Sequence, residues 1–275
     1  MRAMGMGLGA AALCALAVFL CGAKGLGDYM ETERIPLTIE VVMDDEAQAA
    51  AATAQETRPS VLLYHTHTWE AYEMEEGARY TPTETWRTKD DAHNMIRIGE
   101  ELSRLLQERG FFVVHDQTDF EPPNLSGAYT RSLEMLRARM DAGETYDYVL
   151  DVHRDAFSGT WNGDNCVTEE DGTRRAYVML LVGKGTGSTG AGFDERPDWP
   201  QNLALAQEIT QALNACAPGI GKEVKIKTGR FNQHVSPGAL LIEVGNNKNT
   251  LAEALASCEA IADALLAVHA ARTSP

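Results

Sequence analysis

The stretch VLLYHTHTWE, residues 61–70, decides the fold, because four large apolar residues run directly into two histidines and a glutamate. A short run that is apolar at every position is typical of a strand buried on both faces of a sheet. In α/β proteins, ligand-binding groups follow the carboxyl ends of such strands. The stretch therefore predicts a covered sheet and a functional site at the end of this strand.

Similar apolar runs recur after residue 60 and alternate with helical patterns. The strand candidates are residues 61–64, 111–115, 148–152, 176–182, 224–227 and 239–244. The helix candidates are residues 91–109, 127–141, 201–215 and 250–271. Buried strands separated by helices pack as a mostly parallel sheet with helices on both faces. We therefore predict a three-layer α/β fold with about six strands.

The N-terminal residues predict a different environment. Residues 3–23 carry no charge, and their length is close to the roughly 20 residues that span a bilayer. We predict a membrane anchor at residues 1–24; a cleaved signal peptide is the alternative. Residues 25–59 are acidic and rich in Ala and Thr, as expected for an extracytoplasmic linker with at most one short strand at residues 37–42. Residues 60–275 then form the exported functional domain.

The composition excludes some partners and sites. Asp and Glu number 40 and Lys and Arg 24, which gives a formal net charge of −16 and repels a phosphate backbone. Nucleic acid is therefore not an expected partner. The cysteines of the exported part, Cys166, Cys216 and Cys258, form no CxxC pair. They predict neither a disulfide framework nor a cysteine zinc site.

Zinc is the metal that the strand ends favour. A catalytic zinc ion takes three His or carboxylate ligands and keeps a fourth position open. His67 and Glu70 have the HxxE spacing that aims both at one ion, and His153 ends a second buried strand in YVLDVHRDA. His65 competes with His67 for the ligand role. Because His65 still lies within its strand, we expect it to orient the site from behind the ligands.

A carboxylate interrupts the apolar strand ALLIEV at Glu243. An unpaired buried charge is costly, so Glu243 needs a polar partner, and a zinc-bound water is a suitable one. We predict that Glu243 is the general base. Arg154 is predicted to bind a substrate carboxylate or an oxyanion, with a structural ion pair to Asp155 as the alternative.

The segment RFNQHVSPGALL before this strand has two interpretations. Its polar residues Asn232, Gln233 and His234 either contact substrate or form a turn. Three other histidines lie in helix or strand patterns and predict ordinary structural roles; they are His93, His115 and His269.

Longer segments resemble the stage II sporulation protein P family of spore-forming bacteria. They are YHTHTWEAY, HNMIRIGEELSRLL, YVLDVHRDA, WPQNLALAQEI and FNQHVSPGALLIEVGNNKNTLAEA, within about residues 61–267. The resemblance implies a zinc-dependent peptidoglycan hydrolase related to N-acetylmuramoyl-L-alanine amidases, which cuts the stem peptide from the glycan. Endopeptidase activity on crosslinks is also implied. The fold implied is that of amidases and zinc peptidases.

The resemblance also assigns residues. Related amidases bind zinc through His, Glu and His and carry a catalytic Glu on a late strand; the corresponding residues are His67, Glu70, His153 and Glu243. Those amidases usually take their glutamate ligand from just before the first long helix. That position makes Asp90 or Asp91 the alternative to Glu70.

The same resemblance implies partners and a location. Peptidoglycan would be the substrate, and a lytic transglycosylase and membrane proteins of the engulfment complex would be partners. The chain would lie in the septal or forespore membrane through one transmembrane helix. Two other functions stay open: a non-catalytic wall-binding or scaffolding module, and a zinc carboxypeptidase.

Overall fold

The computed structural model describes residues 58–157, 164–187 and 194–274. Its strands are β1 (Ser60–Tyr64), β2 (Phe112–His115), β3 (Tyr148–Asp155), β4 (Cys166–Thr168), β5 (Arg174–Ala176), β6 (Val178–Gly183), β7 (Lys225–Lys227) and β8 (Ala239–Asn246). Its helices are α1 (Met95–Glu108), α2 (Ala128–Asp141), α3 (Trp199–Cys216) and α4 (Leu251–Thr273), with short 3-10 turns at Leu125–Gly127 and Gln233–Val235.

Six of these strands form one sheet in the order β2-β1-β3-β8-β6-β7. Neighbouring strands are parallel except β6 and β8, which are antiparallel. The six strand candidates and the mostly parallel arrangement are confirmed. The sequence did not predict the separate antiparallel pair of β4 and β5, because these strands are too short and too polar to show a period.

Helices cover both faces of the sheet, as predicted. On one face, Leu150 of β3 joins side chains of α1, α3 and α4 in the larger hydrophobic core. On the other, Val149 packs with Leu136 of α2. Because successive strand residues point to opposite faces, Asp151 and His153 share this second face with Val149. We call it the α2 face.

Helix starts frame the loop that follows β1. Asn94 caps α1 by accepting a hydrogen bond at its side chain, so the helix begins at Met95 rather than at the predicted residue 91. Thr250 caps α4 through a capping box. These two cap residues also form isolated bridges with Ala71 and Glu73 of the loop. The loop is thereby held against two helix ends.

The N-terminal predictions lie outside the described residues. These are the anchor at residues 1–24, most of the linker at 25–59 and the short strand at 37–42. Among the residues that are described, no helix combines the length and apolar character needed to cross a membrane.

A buried histidine, a half-buried histidine and a glycine meet behind the end of β1. His65 Nδ1 donates to the Val152 carbonyl oxygen at 2.8 Å, and His65 Nε2 faces His115 Nε2 at 3.0 Å. Burial lowers the pKa of His65 to about 3 and that of His115 to about 4, so both rings are neutral near pH 7. Neutral His65 must then accept at Nε2 from His115. Gly99 of α1 packs directly on both rings.

Replacing Gly99 with Ala is expected to destabilise the fold. A Cβ at this position would lie 2.6 Å from His115 Cε1 and would overlap the ring nitrogens of His65 and His115. Overpacking of this kind costs about 1–3 kcal/mol, which outweighs the roughly 1 kcal/mol that Ala gains in helix propensity. Gly99→Ala should lower the thermal unfolding midpoint, whereas Glu100→Ala, at the exposed neighbouring position, should change it little. An unchanged midpoint for Gly99→Ala would contradict this packing.

Candidate active site

The ends of three adjacent strands bring the candidate residues together. β1, β3 and β8 are neighbours and run parallel, so their carboxyl ends lie at one edge of the sheet. His67 and Glu70 follow β1, and His153 of β3 pairs directly with Glu243 of β8. The ring centroids of His67 and His153 are 5.4 Å apart. Glu70 Oε2 lies 3.4 Å from His153 Nδ1.

Arg154 holds the loop that carries Glu70. Its guanidinium donates 3.0 Å hydrogen bonds to the carbonyl oxygens of Ala71 and Trp86. Its backbone N–H donates to Glu70 Oε2 at 3.2 Å. Arg154 is buried, and these contacts direct its side chain into the loop. The structure therefore gives Arg154 a positioning contact with Glu70, while direct contact with substrate stays a prediction.

Asp151 is a site residue that the sequence reasoning missed. Its Oδ1 lies 2.8 Å from His153 Nε2, on the side of the ring away from Glu70. Asp151 also accepts hydrogen bonds from the Thr66 backbone N–H at 2.8 Å and from Thr66 Oγ1 at 2.7 Å. A signal for it exists in the sequence: an Asp two residues before a His on a strand must share that residue's face. Like Glu243, Asp151 is a buried carboxylate that follows apolar strand residues, so it too needs a polar partner.

The buried carboxylates at the site stabilise positive charge on the His153 ring. Burial opposes protonation of His153, yet the Asp151 and Glu70 carboxylates outweigh it and raise its pKa well above the ordinary value. Burial, followed by repulsion from His153, lowers the pKa of His67 to about 4. Burial raises the pKa of Glu243 to about 8, although His153 opposes this shift. The site thus combines a neutral His67, a His153 whose cationic form is stabilised by two carboxylates, and a Glu243 whose charged form is disfavoured by burial.

The donor set suits a zinc ion. Buried atoms without a hydrogen-bond partner among the described residues include His67 Nδ1 and Glu243 Oε2. With Asp151 holding His153 at Nε2, the ring nitrogen left for a metal is Nδ1, which lies 3.4 Å from Glu70 Oε2. Within the described ranges, no three His, Cys, Asp or Glu side chains already have the spacing of a formed metal centre. His67, Glu70 and His153 nevertheless supply the two imidazoles and one carboxylate that catalytic zinc sites use.

The alternative ligands lie elsewhere. His65 points to Val152 and His115, as described above, and not to the ring of His153. Asp90 Oδ2 pairs with His93 Nδ1 at 2.9 Å on the surface. Asp91 Oδ1 accepts from the Asn94 side chain at the start of α1. Of these candidates, Glu70 is the carboxylate that the structure places against His153.

The polar segment before β8 forms a turn. Asn232 has a left-handed backbone and donates to the Tyr129 carbonyl oxygen at 2.9 Å. Gln233 is buried and bonds to the backbone of β6 at Gly183 and Leu181. Both side chains therefore serve the fold. The third member of the segment, His234, is also enclosed, and its Nε2 lies 3.5 Å from Glu195 Oε2.

The comparisons with known proteins agree with the sequence resemblance. The family model described as Stage II sporulation protein P (SpoIIP) matches residues 30–266. Stage II sporulation protein P of Bacillus subtilis (strain 168) is 24% identical over 254 residues, covering 85% of this chain and 58% of the relative. The chain thus spans somewhat more than half the length of this curated relative.

Two solved structures are similar at a lower level. An N-acetylmuramoyl-L-alanine amidase from Clostridium difficile 630 is 13% identical with a TM-score of 0.44, covering 79% of this chain and 99% of that chain. The catalytic domain of the CD27L endolysin targeting Clostridia Difficile is 13% identical with a TM-score of 0.45, covering 76% of this chain and 95% of that chain. The family match covers most of the sequence, and the chain therefore belongs to the stage II sporulation protein P family.

Proposed function

We propose that this chain is a zinc-dependent peptidoglycan hydrolase that cleaves the amide bond between N-acetylmuramic acid and the stem peptide during sporulation engulfment. The observation that carries the proposal is the meeting of His67, Glu70 and His153 at one sheet edge, with Glu243 directly beside His153. Two imidazoles, one carboxylate and a separate buried carboxylate are the parts that a zinc hydrolase needs. Membership in a sporulation protein family supports sporulation as the biological setting.

The proposed metal ligands are His67, Glu70 and His153. A bound zinc ion would supply Lewis-acid activation of the attacking water and of the scissile carbonyl. Asp151 would hold the His153 ring in orientation, since its carboxylate is itself fixed by two hydrogen bonds from Thr66. Arg154 would hold Glu70 in place through the loop contacts at Ala71 and Trp86.

Glu243 is the proposed general base and acid. It would take a proton from the attacking water and return it to the leaving amine as the amide bond breaks. Its Oε2 is buried and has no hydrogen-bond partner among the described residues, so one oxygen is available for this transfer. Burial raises the pKa of Glu243 to about 8, which is near the pH range in which a group that both takes up and releases a proton works best.

Location and partners belong to the same proposal. We infer a single-pass anchor at residues 1–24 and an extracytoplasmic catalytic domain, on the basis of the uncharged N-terminal run. A lytic transglycosylase and membrane proteins of the engulfment complex are the proposed partners. The name of the family, stage II sporulation protein P, supports this setting.

Mass spectrometry of fragments released from purified peptidoglycan tests the activity. The proposed amidase should release intact stem peptides and leave peptide-free glycan chains. Cleavage within crosslinks would instead indicate an endopeptidase, and release of single C-terminal residues a carboxypeptidase. No released fragment, from protein that binds peptidoglycan and contains zinc, would support a scaffolding module and contradict the proposal.

A further inference from the structure

The α2 face of the sheet continues beyond Glu243 to the edge strand β7. Glu243 of β8 pairs with Met179 of β6. Two residues along β6, Leu181 pairs with Lys225 of β7. Directly paired residues of neighbouring strands point to the same face, and so do residues two apart on one strand. Lys225 and Lys227 therefore lie on the same face of the sheet as Glu243.

The Lys225 side chain reaches toward the site. Lys225 Nζ lies 3.8 Å from Asp155 Oδ2, and Asp155 follows His153 by two residues on β3. The side chains of Lys225 and Asp155 are 45% and 37% exposed, and an ion pair at such exposure is weak. The Lys225 ammonium can therefore exchange Asp155 for a ligand carboxylate. Lys227 is exposed as well.

We propose that Lys225 and Lys227 bind carboxylates of the stem peptide and so set the direction in which substrate crosses the site. The inference rests on the proposed function. Stem peptides carry free carboxylates, whereas the amino sugars of the glycan are neutral. The chain has a net charge of −16, so an anionic peptide needs a local positive surface to approach it. Two lysines on the face of Glu243 provide that surface.

The distances suit a short peptide segment. β6 separates β8 from β7, so the two outer strands are two spacings, about 10 Å, apart. Two or three extended residues span about 7–10 Å. Along the strands, Lys225 lies level with Leu181, two residues from the Met179 that pairs with Glu243, and Lys227 lies two residues further. A peptide whose first amide bond lies at Glu243 would thus bring the carboxylates of its second and third residues toward the Lys225 side chain, with Lys227 beyond it.

Another explanation of these lysines makes a different prediction. Edge strands often carry Lys because the charge prevents pairing with other chains. In that case the lysines protect solubility, and their removal should not depend on the charge of the substrate. A comparison of charged and uncharged substrates therefore separates the two explanations.

The test uses the full chain with the double substitution Lys225→Gln and Lys227→Gln. Substrates are disaccharide-peptide fragments with free stem-peptide carboxylates and matched fragments in which these are amidated. The wild type should prefer the free carboxylates. The variant should lose this preference, mainly through a KM that rises roughly 3- to 30-fold for the charged fragment. The matched control is Lys184→Gln with Lys222→Gln, which removes two lysines that lie over the rings of other residues.

The outcomes are distinguishable. If the wild type releases stem peptide but the variant keeps the full preference, Lys225 and Lys227 do not recognise carboxylates. An equal loss on both fragments would also overturn the inference, because it indicates general damage to the site. If the wild type releases stem peptide from neither fragment, the proposed function fails, and the inference fails with it.

Discussion

Glu243→Gln is expected to keep the fold and the zinc, while the rate of stem-peptide release falls roughly 10²- to 10⁴-fold. Glutamine has nearly the same shape as glutamate but cannot take up a proton at neutral pH. Glu243 sits beside His153 on the next strand, and within the described residues its buried Oε2 has no other partner. The lost function would therefore be proton transfer, with packing largely retained.

The measurement combines fragment release from purified peptidoglycan with elemental analysis and circular dichroism. Glu223→Gln is the matched control, since it removes an exposed carboxylate from the segment before β7. It should retain activity. Loss of zinc from the Glu243→Gln protein would indicate that Glu243 is a zinc ligand. Near-normal turnover would exclude it as the base and point to Glu70, Asp155 or His65.

Much of the sheet could be predicted because several of its strands are apolar at almost every position, although β7 is Lys-Ile-Lys. Residues 61–64 and 239–244 are buried along their whole length, so their composition alone indicates strands. His153 meets Glu243 because β3 and β8 are neighbours in the sheet. A parallel arrangement alone does not specify which strands are neighbours. The register that pairs them directly appears only in the structure.

The supporting contacts could not be predicted, because they depend on the path of a loop. Arg154 bonds to carbonyl oxygens at Ala71 and Trp86, which are brought together by the turn of the chain between them. No periodic pattern records such a path. Asp151 differs, since its spacing from His153 was visible and its burial on an apolar strand called for a partner.

His153→Ala is expected to abolish stoichiometric zinc binding, where the wild type should contain one ion per chain. The substitution removes a central ligand and leaves the buried Glu70 and Asp151 carboxylates without the ring between them. Elemental analysis after dialysis measures the zinc, and circular dichroism checks the fold. His93→Ala is the control, because that ring pairs with Asp90 on the surface and should not affect metal content.

Asp151→Asn separates the role of the ligand from that of its support. His153→Ala leaves the buried Glu70 and Asp151 carboxylates without their partner and can unfold the protein. A milder substitution therefore keeps the test decisive. Asparagine preserves the size of Asp151 and one acceptor for Thr66, but it weakens the electrostatic hold on His153. Loss of a carboxylate behind a metal-bound histidine typically lowers metal affinity about 10- to 100-fold. A folded Asp151→Asn protein should therefore still bind zinc in excess metal and lose it to a competing chelator sooner than the wild type. Full retention of zinc by folded His153→Ala would show that His153 is not a ligand. Unchanged zinc affinity in Asp151→Asn would show that Asp151 does not support His153 as a ligand.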